Sequence, residues 1–408
     1  MPTVPESYVY LDYAATAPLC KEAADAMKPY FSCGSENIAY GANANSLHVA
    51  GRAAFSALEH ARKSIAGALG ASRPSEIVLT SGATEANNAA LFGLANAQVA
   101  KRKRTGRGNF VPHVIVSAIE HDSVLAPAKR LQQLGFEVTK LAPTRTGFIT
   151  SEALKATITK DTVLVSVMAA NSEVGSLQPV SELCEIAHEV GAVFHTDATQ
   201  ALGKVPVNVS DWGCDAASFS AHKIAGPKGV GALYLKSRVP FDALLLGGGQ
   251  EAGLRSGTQN VAGAVGFAAA LEVAVNTRAT EQKRLIRLRD KLYTQLCTHK
   301  NIKPTVNVCA GSTQYLPNIV NVLVSNLESE TLILRYDMRG FGVSGGSACS
   351  SHSLEPSHVL RALGISADAA QGALRISLGR FTCAEEIDAF IDATDEVLNW
   401  GRGITQNS

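Results

Sequence analysis

Between Glu76 and Leu235 the chain alternates short β-branched, apolar runs with segments of helical length, and this rhythm restricts the fold more than any other feature. The runs are Ile77-Val78-Leu79-Thr80, His113-Val114-Ile115-Val116-Ser117, Val163-Leu164-Val165-Ser166-Val167, Ala192-Val193-Phe194-His195 and Ala216-Ala217-Ser218-Phe219, with a further strand from Gly231 to Leu235. Several are apolar throughout, as strands covered on both faces must be. Strands separated by helix-length connections need right-handed crossovers, so the pattern predicts an α/β fold with a mostly parallel sheet. Ligands bind such sheets beyond the strand carboxyl ends, where the polar residues of interest gather.

After Asn260 the pattern changes. Val261 to Ala274 reads as a small-residue apolar helix and Glu281 to Leu296 as an amphipathic surface helix. Strand-like runs follow at Asn318–Val324 and Leu374–Leu378, with a closing helix from Ala384 to Asn399. A chain of 408 residues, 46% of them apolar, exceeds one hydrophobic core. The expectation is a large α/β domain over residues 15–260 and a smaller α+β domain built from 1–14 and 261–408.

Other features exclude function classes. The 37 basic and 36 acidic residues are spread along the sequence, which leaves no electrostatic footprint for nucleic acid or an anionic membrane. The one basic run, Lys101-Arg102-Lys103-Arg104 with Arg107, reads as a solvated loop rather than a nucleic-acid patch. No apolar run approaches the ~20 residues that span a bilayer, and the N-terminus has no basic and apolar leader pattern, so a cytoplasmic protein is expected. Eight cysteines occur without any C-x-x-C pair, which argues against a structural zinc site or a disulfide framework. No metal site is expected.

The residues that carry chemistry cluster at strand ends. Asp197, in His195-Thr196-Asp197-Ala198-Thr199-Gln200, and Lys223, in Ser220-Ala221-His222-Lys223, each follow an apolar strand. The pair suits a pyridine cofactor: a carboxylate keeps the ring nitrogen protonated and an amine condenses with the aldehyde as a Schiff base. Ser81-Gly82-Ala83-Thr84-Glu85 follows a strand and opens a helix, which makes an anion cradle or a well-capped helix start. Ser220 and His222 are a second candidate for the same phosphate. His121, directly after the strand ending at Ser117, reads either as an acid-base ring on the ligand edge or as a helix-capping histidine. His48, His60, His188 and His195 carry no functional expectation.

Two further residues lie in the C-terminal part. Cys349 sits among small polar residues in Ser347-Ala348-Cys349-Ser350-Ser351, a context that suits an exposed loop thiolate. Arg375 sits in a strand-like run, where its guanidinium would grip an amino-acid carboxylate or form an interdomain salt bridge. In Arg255-Ser256-Gly257-Thr258 a guanidinium and a hydroxyl would reach a phosphate across a subunit interface. Gly226-Pro227-Lys228-Gly229-Val230-Gly231 has neither dinucleotide nor Walker spacing and reads as a turn before a strand.

Taken together these segments resemble the cysteine desulfurases, fold-type I pyridoxal-phosphate enzymes of the class V aminotransferase group. The resemblance runs from Tyr10-Leu11-Asp12-Tyr13-Ala14-Ala15-Thr16 through the motifs above to Cys349 and Leu354-Glu355-Pro356-Ser357, the last pair looking like the long-loop iron-sulfur and nitrogen-fixation type. It implies pyridoxal 5'-phosphate held covalently by Lys223, with Asp197 on the pyridine nitrogen and His121 stacked on the ring. Gln200 would reach the phenolic oxygen, beside which Asn171 and Ser172 also fall. Ala83, Thr84, Ser220, His222 and, from a partner subunit, Thr258 would hold the phosphate. Arg375 would bind the substrate carboxylate and Cys349 would take the sulfur of L-cysteine as a persulfide, leaving L-alanine.

The resemblance also implies a homodimer and a sulfur-acceptor protein whose identity is not carried over. Selenocysteine lyase and a non-catalytic sulfur-relay or scaffold protein of the same fold are the alternatives. Two departures from the family pattern stand out: Asn171-Ser172-Glu173 where Asn-Asn-Glu is usual, and Gly41-Ala42-Asn43-Ala44-Asn45 where Gly-Asn-Pro is usual.

Overall fold

The computed structural model describes residues 4–5, 7–31, 41–106, 108–346 and 356–399. A short strand β1 (Val9–Tyr10) precedes the central sheet, which contains β2 (Ile77–Thr80), β3 (His113–Ser117), β4 (Glu137–Leu141), β5 (Thr162–Ser166), β6 (Val193–Asp197), β7 (Ala216–Ser220) and β8 (Gly231–Leu235). Its order is β2-β8-β7-β6-β5-β3-β4. The β3, β4, β5, β6 and β7 neighbours pair in parallel, whereas β8 runs antiparallel to both β2 and β7. The expected mixed, mostly parallel α/β sheet is therefore present.

Strands β2, β3, β5, β6, β7 and β8 are buried along their whole length, as sheets covered by helices on both faces require. The edge strand β4 is different: Glu137 and Lys140 face solvent, so its sequence lacks the apolar run by which the others are recognised. The basic run is not a loop. It forms the last turn of the helix Ala83–Arg104, where positive charge suits the carboxyl end of the helix dipole. Arg102 is buried there and donates to the carbonyls of Lys160, Thr162 and Gly191, closing off the end of β5.

The two helices expected after Asn260 are one. Val261–Leu296 runs unbroken for 36 residues, about 54 Å at the ordinary rise. Nothing between Val275 and Thr280 is a glycine or proline, so no residue type stops it. Its first half contributes Ala264, Phe267 and Leu271 to the core under the central sheet, and its second half contributes Leu288, Leu292 and Leu296 to a separate core. That second core lies beneath β9 (Ile302–Pro304), β10 (Ile319–Val324) and β12 (Ala373–Ser377), antiparallel in the order β12-β10-β9. Strand β11 (Phe341–Gly342) pairs in parallel with β1, so the N-terminal segment packs into the C-terminal core.

Among the described residues no helix is long and apolar enough to cross a membrane. The six described cysteines are free thiols.

His195 is a core residue, as its lack of a functional expectation implied. Its Nδ1 lies 2.8 Å from Ser166 Oγ and its Nε2 2.9 Å from Ser218 Oγ, bridging β5 and β7. Burial pushes its pKa down from 6.5 to about 4, against a smaller upward pull from Asp197. The unfolded chain binds the extra proton across that interval, so acid weakens the fold as the pH falls from about 6.5 towards 4. We expect the urea midpoint to drop between pH 7 and pH 5, and to drop less steeply in His195→Asn. Equal slopes in the two proteins would locate the acid sensitivity elsewhere.

Candidate active site

The carboxyl ends of β2, β3, β5, β6 and β7 open onto one cavity of about 580 Å³, a volume typical of small-molecule sites. Of the residues expected from the sequence, Ala83, Thr84, His121, Ser172, Asp197, Gln200, Ser220, His222, Lys223 and Arg375 line it. Asn171 and Thr258 do not. Cys349 lies outside the described residues.

One end of the cavity is built for an anion. After β2 the chain turns through Gly82, whose φ of 152° and ψ of 179° only glycine tolerates, and enters the helix Ala83–Arg104. The first N–H groups of that helix have no intrahelical acceptor and carry the positive end of its dipole. Strand β8 passes so close that a Cβ on Gly231 would stand 2.7 Å from Gly82 Cα, which fixes the turn against Ser220. Glu85 locks the helix start, accepting from the Ser81 amide at 2.8 Å and from Arg255 Nε at 2.7 Å and Nη2 at 3.1 Å. The Arg255 guanidinium is thus committed within its own chain. The His222 ring lies 3.1 Å from Thr16 Oγ1. Burial, then the charge of Lys223, push His222 down to about 4, so it presents a neutral imidazole near pH 7.

The other end is acidic. Asp197 closes β6, with Oδ1 accepting from the Thr199 amide at 3.0 Å and Oδ2 from Asn87 Nδ2 at 2.7 Å. Asn87 Nδ2 also donates to Ser123 Oγ at 2.8 Å, and Ser123 Oγ lies 2.8 Å from His121 Nδ1. The Ser123 amide donates to the same His121 nitrogen at 3.1 Å. A nitrogen that accepts from a backbone N–H carries no proton, so the neutral His121 ring is protonated at Nε2. His121 is therefore both the cap of the helix Asp122–Gln133 and a wall of the cavity, which joins the two readings that its sequence context left open.

Sequence reasoning missed Asn87 and Ser123 as members of this chain of hydrogen bonds. The signal was present for Asn87, which stands one helical turn after Ala83 on the face that meets the cavity. Asn171 is instead consumed by its own turn: Oδ1 accepts from the amides of Glu173 and Val174, both at 2.9 Å, and Nδ2 donates to Ile119 O at 3.0 Å.

Lys223 follows β7 in a short turn ended by Ala225 in the left-handed region. Its Nζ donates to the carbonyls of Ala14 and Ala15, each at 2.7 Å. Arg375, on β12, is buried; Nη2 meets Asp12 Oδ1 at 2.9 Å and Nη1 donates to Ser172 O at 3.1 Å. The Asp12 pair lies within the expected small domain, so it is not the interdomain salt bridge of one reading, while Arg375 lines the cavity as the other reading requires.

Two buried carboxyl groups were not anticipated. Glu120 accepts from Ser117 Oγ and the Met168 amide, both at 2.6 Å, and burial pushes its pKa up to about 8. Glu173 accepts from Ser357 Oγ at 2.6 Å, and a Cβ added to Gly346 would come within 2.9 Å of the same Oε2. Burial raises the Glu173 pKa as well.

The donor set fits pyridoxal phosphate. Helix N–H groups, the Ser220 hydroxyl and a neutral imidazole suit a phosphate, a buried carboxylate suits a protonated pyridine nitrogen, and a primary amine stands in the same cavity. Among the described residues, Thr199 Oγ1, on a residue of the cavity wall, has no hydrogen-bond partner, and neither has Arg375 Nε. Both atoms belong to residues that line the cavity, where a bound group can satisfy them.

The family model for aminotransferase class-V matches residues 9–390. A cysteine desulfurase IscS of Dictyoglomus turgidum is 43% identical, over 97% of this chain and 96% of its own. Another of that name from Methanosarcina thermophila is 42% identical over 96% of this chain and 92% of its own. Among solved structures, a NifS-like protein superposes with a TM-score of 0.85 at 36% identity, covering 96% of this chain and 99% of its own. The structure of SspA in complex with cysteine gives a TM-score of 0.74 at 34% identity, covering 92% and 100%. With the strand order, the carboxyl-edge cavity and a family match spanning nearly the whole chain, this protein belongs to the class-V aminotransferases.

Proposed function

We propose that this protein is a pyridoxal-phosphate-dependent L-cysteine desulfurase that releases L-alanine and receives the substrate sulfur as a persulfide on Cys349. The observation that carries the reading is the placement of Lys223, Asp197 and Arg375 around one cavity of about 580 Å³. Pyridoxal phosphate, when bound, supplies an electron sink for the substrate Cα. The chain does the rest. Lys223 would hold the cofactor through its amine, and Asp197, kept in place by Asn87 and Thr199, would keep the pyridine nitrogen protonated. The Ala83 and Thr84 amides, Ser220 and His222 would bind the phosphate, joined by Thr258 of a second copy.

His121 offers Nε2–H as the proton carrier beside the ring, and Arg375 orients the substrate by its carboxylate. The Cys349 thiolate attacks the substrate sulfur: an S–S bond forms as the Cβ–S bond breaks, and a proton delivered to Cβ completes alanine. Two domains, 15–260 and 1–14 with 261–408, are part of the proposal; the two separate cores support a division in two, while Ala264, Phe267 and Leu271 of the long helix belong to the core under the central sheet.

A homodimer is supported by Thr258, which is exposed on its own chain, and by the nearby run Leu244-Leu245-Leu246, whose Leu246 is 84% exposed. Free thiols and the lack of a membrane-crossing helix among the described residues support a cytoplasmic location.

Lys223→Ala is expected to abolish both the visible cofactor absorbance and alanine formation. Cys349→Ala should keep the absorbance and lose the persulfide detected by mass spectrometry; undiminished alanine formation from selenocysteine alone in that variant would favour a selenocysteine lyase instead. Full alanine production from cysteine by Lys223→Ala would sink the proposal.

Arg375→Ala removes a charge-assisted contact to the substrate, worth roughly 1.5–3 kcal/mol, and should raise KM for cysteine at least tenfold with the cofactor still bound. Leu246→Asp should shift sedimentation towards the monomer and loosen cofactor retention. A dimer of unchanged affinity would place the interface on another face.

A further inference from the structure

Gln200 follows β6 and Lys204 stands one turn further along the chain. Lys204 Nζ donates to Gln200 O at 3.1 Å and to Gln200 Oε1 at 3.2 Å. On the opposite side, Gln200 Nε2 donates to Ala14 O at 2.9 Å. That carbonyl is the one that also accepts from Lys223 Nζ. A carboxamide has one accepting end and one donating end, an ammonium only donates, and a carbonyl only accepts. Lys204 and Ala14 therefore fix the amide from both sides, with Oε1 turned away from the site and the N–H₂ turned into it.

Lys204 is otherwise poorly placed for a cation. It forms no ion pair among the described residues. It borders a second cavity of about 100 Å³ that Lys223 also lines, with Ala270, Val273, Ala274 and Leu285 of the long helix and with Glu281 and Arg380. Glu281 is already bonded to Arg284, and Arg380 to Glu22. Burial first, then repulsion from Lys223, push the Lys204 ammonium down to about 7. Among the described residues its hydrogen bonds go to Gln200.

We propose that Lys204 is a positioning residue that sets the Gln200 carboxamide with its N–H₂ towards the phenolic oxygen of the cofactor. The role rests on the cofactor reading above. It assigns to Lys204 no contact with substrate or cofactor and no proton transfer; removing the side chain frees the amide to rotate and weakens the bond that Gln200 makes.

The test is a pH titration of the visible absorbance of purified, cofactor-loaded protein in the wild type, K204M, K204R, Q200A and the K204M/Q200A double variant. K204M is expected to displace the midpoint in the same direction as Q200A, by about half a pH unit or more, the scale of one altered hydrogen bond. K204R should restore the wild-type midpoint, and the double variant should move no further than Q200A, since residues acting through one group are non-additive. A wild-type midpoint in K204M alongside a displaced one in Q200A, or additive displacements in the double variant, overturns the proposal. If K204M does not fold, K204A is titrated in its place under the same criteria. A wild-type protein that binds no visible chromophore is a separate outcome: it overturns the cofactor reading itself, and the role of Lys204 with it.

Discussion

The parallel course of the central sheet is the constraint from which the rest of the molecule follows. Because β2, β3, β5, β6 and β7 all end at one edge, residues scattered from Ser81 to Lys223 are delivered to a single cavity without long loops. The antiparallel β8 serves that arrangement from the other direction. It wedges between β2 and β7 and brings Gly231 against Gly82, so the turn that opens the anion-binding helix is held by backbone packing rather than by its own sequence.

On this frame the site is held together by groups that satisfy one another rather than by isolated side chains. Asp197, Asn87, Ser123 and His121 form one hydrogen-bonded chain, and Lys223, Ala14, Gln200 and Lys204 form another. The first sets a carboxylate and a ring tautomer; the second joins the N-terminal segment to Lys223. Ala14 enters only through its carbonyl, so no side-chain chemistry at that position announces its part. Asp12 likewise reaches Arg375 through a pairing that spans nearly the whole chain.

The sheet was legible because burial on both faces writes apolar runs into the sequence, and the site was legible where a residue's chemistry is rare at a strand end, as for Asp197 and Lys223. Strand β4 escaped recognition because an edge strand keeps polar residues such as Glu137 and Lys140. The long helix was read as two because its composition changes from small apolar to charged where it passes from one core to the next, although its backbone does not break. The basic run misled for a related reason: Arg102 caps buried carbonyls, a role that depends on tertiary neighbours absent from any local window. Asn171 belongs to the family motif, yet its side chain is spent within its own turn.

Glu173 gives the fold a further property. Gly346 and Ser357 both lie against the same buried carboxyl group. The residues between them, Cys349 included, thus begin and end at one place that is fixed independently of what they contain. Closing a chain segment between fixed ends costs free energy only logarithmically in its length, about 0.6 kcal/mol for each doubling. A longer or shorter stretch between Gly346 and Ser357 would therefore cost the scaffold little, because the carboxyl group that holds both ends belongs to a different part of the chain.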